Sequence, residues 1–135
     1  MKQEQKELLI KDLCGRLPYE VKVEYNSCAG EVLSIDRYNE ELTIRICPGY
    51  CPDVKLENVK PFLFPLSSMT EEQKEEYYYI VNYISSDDTD NWQEGEFIYV
   101  DRMTNLLHFY HRNHIDYRGL IPKGLAIDAT GLNVY

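Results

Sequence analysis

Apolar residues recur along this chain in two periods, and the switch between them divides it into three stretches. Residues 3–14 read as a helix: Leu9, Ile10, Leu13 and Cys14 form a narrow apolar stripe, and Glu4 and Glu7 place negative charge near its start. Gly15 is the predicted C-terminal cap, and Pro18 bars continuation. From Pro18 to Leu66 the period drops to two. Val21, Val23 and Tyr25 alternate with Lys22 and Glu24; "GEVLSIDR" places Val32 and Ser34 on one face; Leu42, Ile44 and Ile46 alternate with Thr43 and Arg45. "YNEE" (38–41) is a polar turn, and "VKLENVKPFLF" reads as a strand, a tight turn at Glu57–Val59 and another strand.

Four or five short strands in this span predict a small, strongly bent antiparallel sheet. The arrangement is similar to an SH3-like or Tudor-like barrel, whose last two strands are likewise split by a one-turn helix. Past residue 66 the helical period returns. Thr70 stands three before Gln73, the spacing of a capping box, and Glu71 and Glu72 follow it. Tyr77, Ile80, Val81 and Ile84 recur at i, i+3, i+4 and i+7, which predicts a face packed on the sheet. Residues 86–95 read as a polar loop and 96–100 as an edge strand. A third helix is expected from Asp101 or Thr104, with Met103, Leu106, Leu107 and Tyr110 inward and Asn113 left-handed at its end. Pro122 opens a short fourth helix, and "ATGLNVY" reads as an extended tail. The expected fold is thus one α+β domain over residues 1–135: a helix (1–17), a barrel-like sheet (18–66) and C-terminal helices packed on it (67–135).

Composition narrows the partners more than the fold. The formal net charge is −9, with ten Lys/Arg against 21 Asp/Glu in residues 1–101 and four against two in residues 102–135. A generic nucleic-acid binder needs a basic surface to release counterions, so that class is excluded for most of the chain. No apolar run approaches the roughly 18 residues of a membrane span, and the N-terminal residues do not form a signal peptide. The expected setting is the cytoplasm, with the four cysteines reduced. The twelve tyrosines serve chiefly as packing groups at the edges of a small core.

Chemistry-bearing residues concentrate between His108 and Arg118. His111 and His114 continue the series of Leu107 and Tyr110, which turns both toward the buried side of the third helix; His108 falls on another face. Spacings of three between histidines, with Asp116 nearby, permit a metal site but match no diagnostic pattern. In "HIDYRG", His114 and Asp116 can bond within a turn, as carboxylates orient catalytic imidazoles, and Arg118 can hold an anion bidentately. A structural reading covers the same residues: Asp116 caps the following turn, Arg118 pairs with an acid, and Gly119 permits the bend. The candidate ligand-binding set is His111, His114, Asp116 and Arg118, with no catalytic nucleophile beside it.

"CPGYC" offers Cys47 and Cys51 as metal ligands, but its CxxxC spacing fits neither a thioredoxin motif nor a zinc ribbon, and Pro48-Gly49 is a turn dipeptide. No cofactor fingerprint is present. The acids of "TEEQKEE" and "DDTD" allow mimicry of a phosphate backbone, although solvated faces account for such runs.

Three blocks, "LLIKDLCGRLPYEVKV", "VKPFLFPLSSMTEEQKEEYY" and "NHIDYRGLIPKGLAIDATGLNVY", resemble a family of short uncharacterised proteins from gut anaerobes and their phages and mobile elements. The last block is the most specific, and this chain carries Ile115 where the family has an aromatic. The resemblance implies a bacterial or phage origin and brings no activity, cofactor or catalytic residue. The leading expectation is a non-enzymatic interaction or accessory module with a protein partner. The alternatives are a small enzyme or binding protein using His114, Asp116 and Arg118 on an anionic ligand, and an acidic nucleic-acid mimic that inhibits an enzyme.

Overall fold

Helix α1 (Gln3–Arg16) buries Leu9, Asp12, Leu13 and Arg16, a series at i, i+3, i+4 and i+7 in which every second residue is charged. In this computed structural model, which describes residues 1–82 and 103–135, Leu9 and Leu13 join one buried cluster with Val23, Ile44 and Leu63 of the sheet. The expected cap at Gly15 is displaced. The helix runs on to Arg16 and a 3-10 turn at Leu17–Tyr19, and the left-handed residue is Glu20 (φ 60°). Gly15 has a different purpose: a Cβ there would stand 2.9 Å from Cε1 of His111. Gly15→Ala therefore sets a helix-propensity gain of about 1 kcal/mol against overpacking of about 1–3 kcal/mol. Because the His111 ring is buried and hydrogen-bonded, a net loss of about 1 kcal/mol is expected in urea denaturation. A gain in stability would show that the ring yields.

The first strands form a meander. β1 (Lys22–Tyr25) turns through Asn26 and Ser27, both at positive φ, into β2 (Cys28–Asp36). The next turn is closed by Asp36, whose Oδ1 accepts from Asn39 N–H, and leads to β3 (Glu41–Arg45). Pro48 and Gly49 (φ 82°) then turn the chain toward β4 (Asp53–Lys55), with Tyr50 N–H bonding Cys47 O. A 3-10 turn at Leu56–Asn58 leads into β5 (Lys60–Pro65), as the sequence predicts. The expected phase of β2 is altered by a register shift between Val32 and Ser34, which leaves Leu33 outside and sets Val32 opposite Ile44 and Ile35 opposite Leu42.

The fold is α+β, but the sheet is mixed. Its order is β4-β3-β2-β1-β5-β6, with β5 antiparallel to β1. Two later strands, β6 (Ile115–Asp116) and β7 (Ile127–Asp128), lie parallel to β5 along its other edge, paired with Phe64–Pro65 and Phe62–Leu63. Pairing on both edges suits the continuous buried run Pro61-Phe62-Leu63 in β5. Among the described residues β4 and β6 do not pair, and the sheet is not closed into a barrel.

The capping box forms as expected: Thr70 N–H bonds Gln73 Oε1, and Gln73 N–H bonds Thr70 Oγ1. Helix α2 (Glu71–Asn82), however, has no buried residue, and the expected packing of its Tyr77 face on the sheet gives way to another partner. Tyr77 meets Phe109 and Tyr110 of helix α3 (103–112), while Glu76 pairs with Arg112 and Gln73 bonds Asn113. On α3 itself Phe109 is fully buried, whereas Met103 and Leu107, expected inward, are exposed. Ile84, the loop at 86–95, the strand at 96–100 and the cap at Asp101 lie outside the described residues. The expected fourth helix at Pro122 is a series of turns, and the tail carries β7 and lays the Tyr135 ring on His114 instead of trailing free.

Candidate functional site

The residues singled out between His108 and Arg118 meet at the junction of α3, β6 and the C-terminal end of α1. The junction is set by one backbone feature. His114, and not Asn113, takes the left-handed conformation (φ 57°), and the Asn113 amide side chain instead bonds Phe109 O at 2.9 Å. His114 N–H returns to His111 O, and His114 O accepts from Phe64 N–H at 2.8 Å. The chain thus leaves the helix directly into a strand.

Two residues that sequence reasoning missed form its centre. Arg16 and Asp12 are fully buried and paired bidentately, Nε to Oδ2 at 2.7 Å and Nη2 to Oδ1 at 3.1 Å. Arg16 Nη2 also donates to Ile115 O at 2.6 Å, which ties α1 to β6 across 99 residues. Arg118 brings its Nε to 3.3 Å from Asp12 Oδ1, the acid partner expected for it. Tyr117 lies between the charges, with the Arg16 and Arg118 guanidiniums 5.4 and 5.0 Å from its ring centre.

Asp116 and His111 are hydrogen-bonded within the chain, whereas His114 Nδ1 has no hydrogen-bond partner. Asp116, nearly buried, accepts from Leu120 N–H at 2.8 Å and Ile121 N–H at 2.9 Å, one amide per carboxylate oxygen. This is the turn-capping role read from the sequence, and it holds no bond to His114. Asp116→Ala strands both amides and is expected to cost about 2 kcal/mol, read from the urea midpoint; an unchanged midpoint would remove Asp116 from the clamp. His111 Nε2 shares a hydrogen bond with Tyr117 Oη at 2.8 Å. His114 stacks on Tyr135 with ring centres 3.5 Å apart. Burial, reinforced by the Arg16 charge, pushes both imidazoles down to about 4, so both are neutral at pH 7.

Chemically, this arrangement fastens more readily than it reacts. Both Asp116 oxygens are taken up by backbone amides, and the surface depressions lined by Lys74 and Tyr78 on α2, or by Cys14 and Arg37, lie apart from the junction. Cys47 and Cys51 are exposed free thiols around the Pro48–Gly49 turn. Among the described residues no three or more His, Cys, Asp or Glu are grouped to hold a metal ion. No described helix is long and apolar enough to cross a membrane. The sheet's outer acids are largely engaged: Glu31 pairs with Arg45, Glu41 with Lys55 and Glu40 with Lys6. No family model, curated protein or solved structure matches the chain.

Proposed function

We propose that this protein is a non-enzymatic interaction module, an accessory protein of a phage or mobile element acting in the bacterial cytoplasm. One observation carries the reading: both oxygens of Asp116, the carboxylate on which a catalytic His114 would depend, are bonded to the chain's own amides. The cluster then serves as the clamp that holds α1, α3 and β6 in register. Of the acids on which phosphate mimicry would rest, Glu71 pairs with Lys74 and Glu76 with Arg112, which weighs against it, and those of "DDTD" lie outside the described residues. The SH3-like reading of residues 18–66 belongs here too, supported by the return of β5 beside β1 after a 3-10 turn.

Recognition then falls to exposed tyrosines, which are half of those among the described residues. Tyr38 is 94% and Tyr78 70% exposed, whereas Tyr77, Tyr110 and Tyr117 stack on one another. The test is crosslinked affinity capture from a bacterial lysate, repeated with Tyr38→Ser and Tyr78→Ser. A partner lost in these variants but kept in Arg118→Ala supports the proposal. Turnover of a small anionic substrate that Arg118→Ala abolishes at unchanged stability would overturn it.

A further inference from the structure

The tail ends in a cradle built by other parts of the chain. Past β7, Gly131 (φ 79°) and Asn133 (φ 53°) turn the backbone so that the Tyr135 ring lies flat against the imidazole of His114 and beside Phe64, 6.2 Å away. Lys22 Nζ sits 5.7 Å from the ring centre and bonds Val134 O at 2.6 Å. The hydroxyl is read in both senses: it accepts from Lys22 N–H at 2.9 Å and donates to Phe62 O at 3.0 Å. A carboxylate cannot donate to Phe62 O, and a methyl can do neither. The cradle therefore selects a phenol.

The backbone of the walls is fixed outside the tail's last residues: His114 N–H donates to His111 O, His114 O accepts from Phe64 N–H, and Phe62 and Lys22 lie in paired strands. The cradle also carries more polar capacity than Tyr135 uses. Nδ1 of His114, on the ring that faces Tyr135, has no hydrogen-bond partner.

We propose that this cradle is a phenol-binding site, filled in this structure by the chain's own Tyr135 and able to take a tyrosine-like ring from another ligand when the tail withdraws. The site is independent of the interaction module proposed above, and either reading can fail alone. Removing the plug tests it. Tyr135→Ala should melt several degrees below the parent, and p-cresol, the tyrosine side chain alone, should restore at least half of that loss. The parent, already plugged, should not respond. Toluene should bind about tenfold more weakly, for want of the hydroxyl's two bonds. No response of folded Tyr135→Ala to p-cresol, an equal response of the parent, or equal rescue by toluene each overturns the proposal. Should Tyr135→Ala not fold, Lys22→Ala carries the test, since it frees Val134 while keeping the backbone amide that reads the hydroxyl. In that variant p-cresol should shift the His114 ring resonances at concentrations that leave the parent unchanged, and unmoved resonances overturn the proposal.

Discussion

Arg16→Ala is expected to destabilise the protein by about 3–5 kcal/mol, more than any other single change discussed above. Removal of the guanidinium leaves the fully buried Asp12 carboxyl without its bidentate partner and takes from Ile115 O a donor at 2.6 Å. Arg118, 3.3 Å from Asp12 Oδ1 and only partly buried, softens the loss toward the lower figure without replacing the bidentate contact. For a domain of this length that is a fall in Tm of roughly 10–15 °C. The pair as a whole is another matter, because desolvating two ions offsets most of their attraction. Replacing both, as Asp12→Leu with Arg16→Met, is therefore expected to restore most of the stability, short of the bond to Ile115 O. Urea denaturation at constant slope measures both variants. A loss under about 1 kcal/mol in Arg16→Ala would show that the clamp does not hold α1 to β6.

Acid should weaken the same junction. His111 and His114 titrate near 4 in the folded chain and near 6.5 when unfolded, because burial, with Arg16 second, opposes their charged forms. Between those values the unfolded chain binds the extra protons. The stability linked to the two imidazoles is thus complete above pH 6.5 and is lost as pH falls toward 4. The neighbouring groups fix the sign further: His111 faces Arg16, Arg118 and His108 with Asp12 in partial opposition, and His114 faces Arg16 and Lys22. At about 1.4 kcal/mol per pKa unit, and with allowance for water reaching part of each ring, the two together amount to about 3 kcal/mol. Asp36, Asp128 and Glu40, all held below their ordinary values by hydrogen bonds, act lower, from their usual range downward. A urea midpoint followed from pH 7 to 4.5 isolates the histidines. His114→Asn should flatten the profile by about half, and an unchanged slope in that variant would contradict the assignment.

Much of the local structure was legible because it rests on neighbours in sequence. The Thr70–Gln73 capping box, the Pro48–Gly49 turn, the polar turn before Glu41 and the 3-10 turn inside "VKLENVKPFLF" each depend on contacts three or four residues apart. Errors in the same region share a cause. Gly15 reads as a cap because glycine ends helices, yet it stays helical to admit the His111 ring, which arrives from 96 residues away. Asp12 and Arg16 complete the buried series of Leu9 and Leu13 at the spacing of an i, i+4 pair, so a signal for them was present. Charge on an amphipathic stripe argues for its edge, however, and only the matching Ile115 carbonyl makes the burial tolerable.

Sequence alone determined which segments are helix and which are strand over most of residues 3–82, and it located the polar turn from His114 to Arg118. These follow from side-chain period and turn chemistry, which act within a few residues. Tertiary structure alone decided that α2 faces α3 instead of the sheet, that β6 and β7 join β5 in parallel, and that Tyr135 closes the tail over His114. Two-residue strands have no period to read, and Tyr135 carries no mark of the ring it will meet. Such contacts exist only once distant backbone amides and carbonyls face one another, and the fold that they set leaves both oxygens of Asp116 bonded to the chain's own amides.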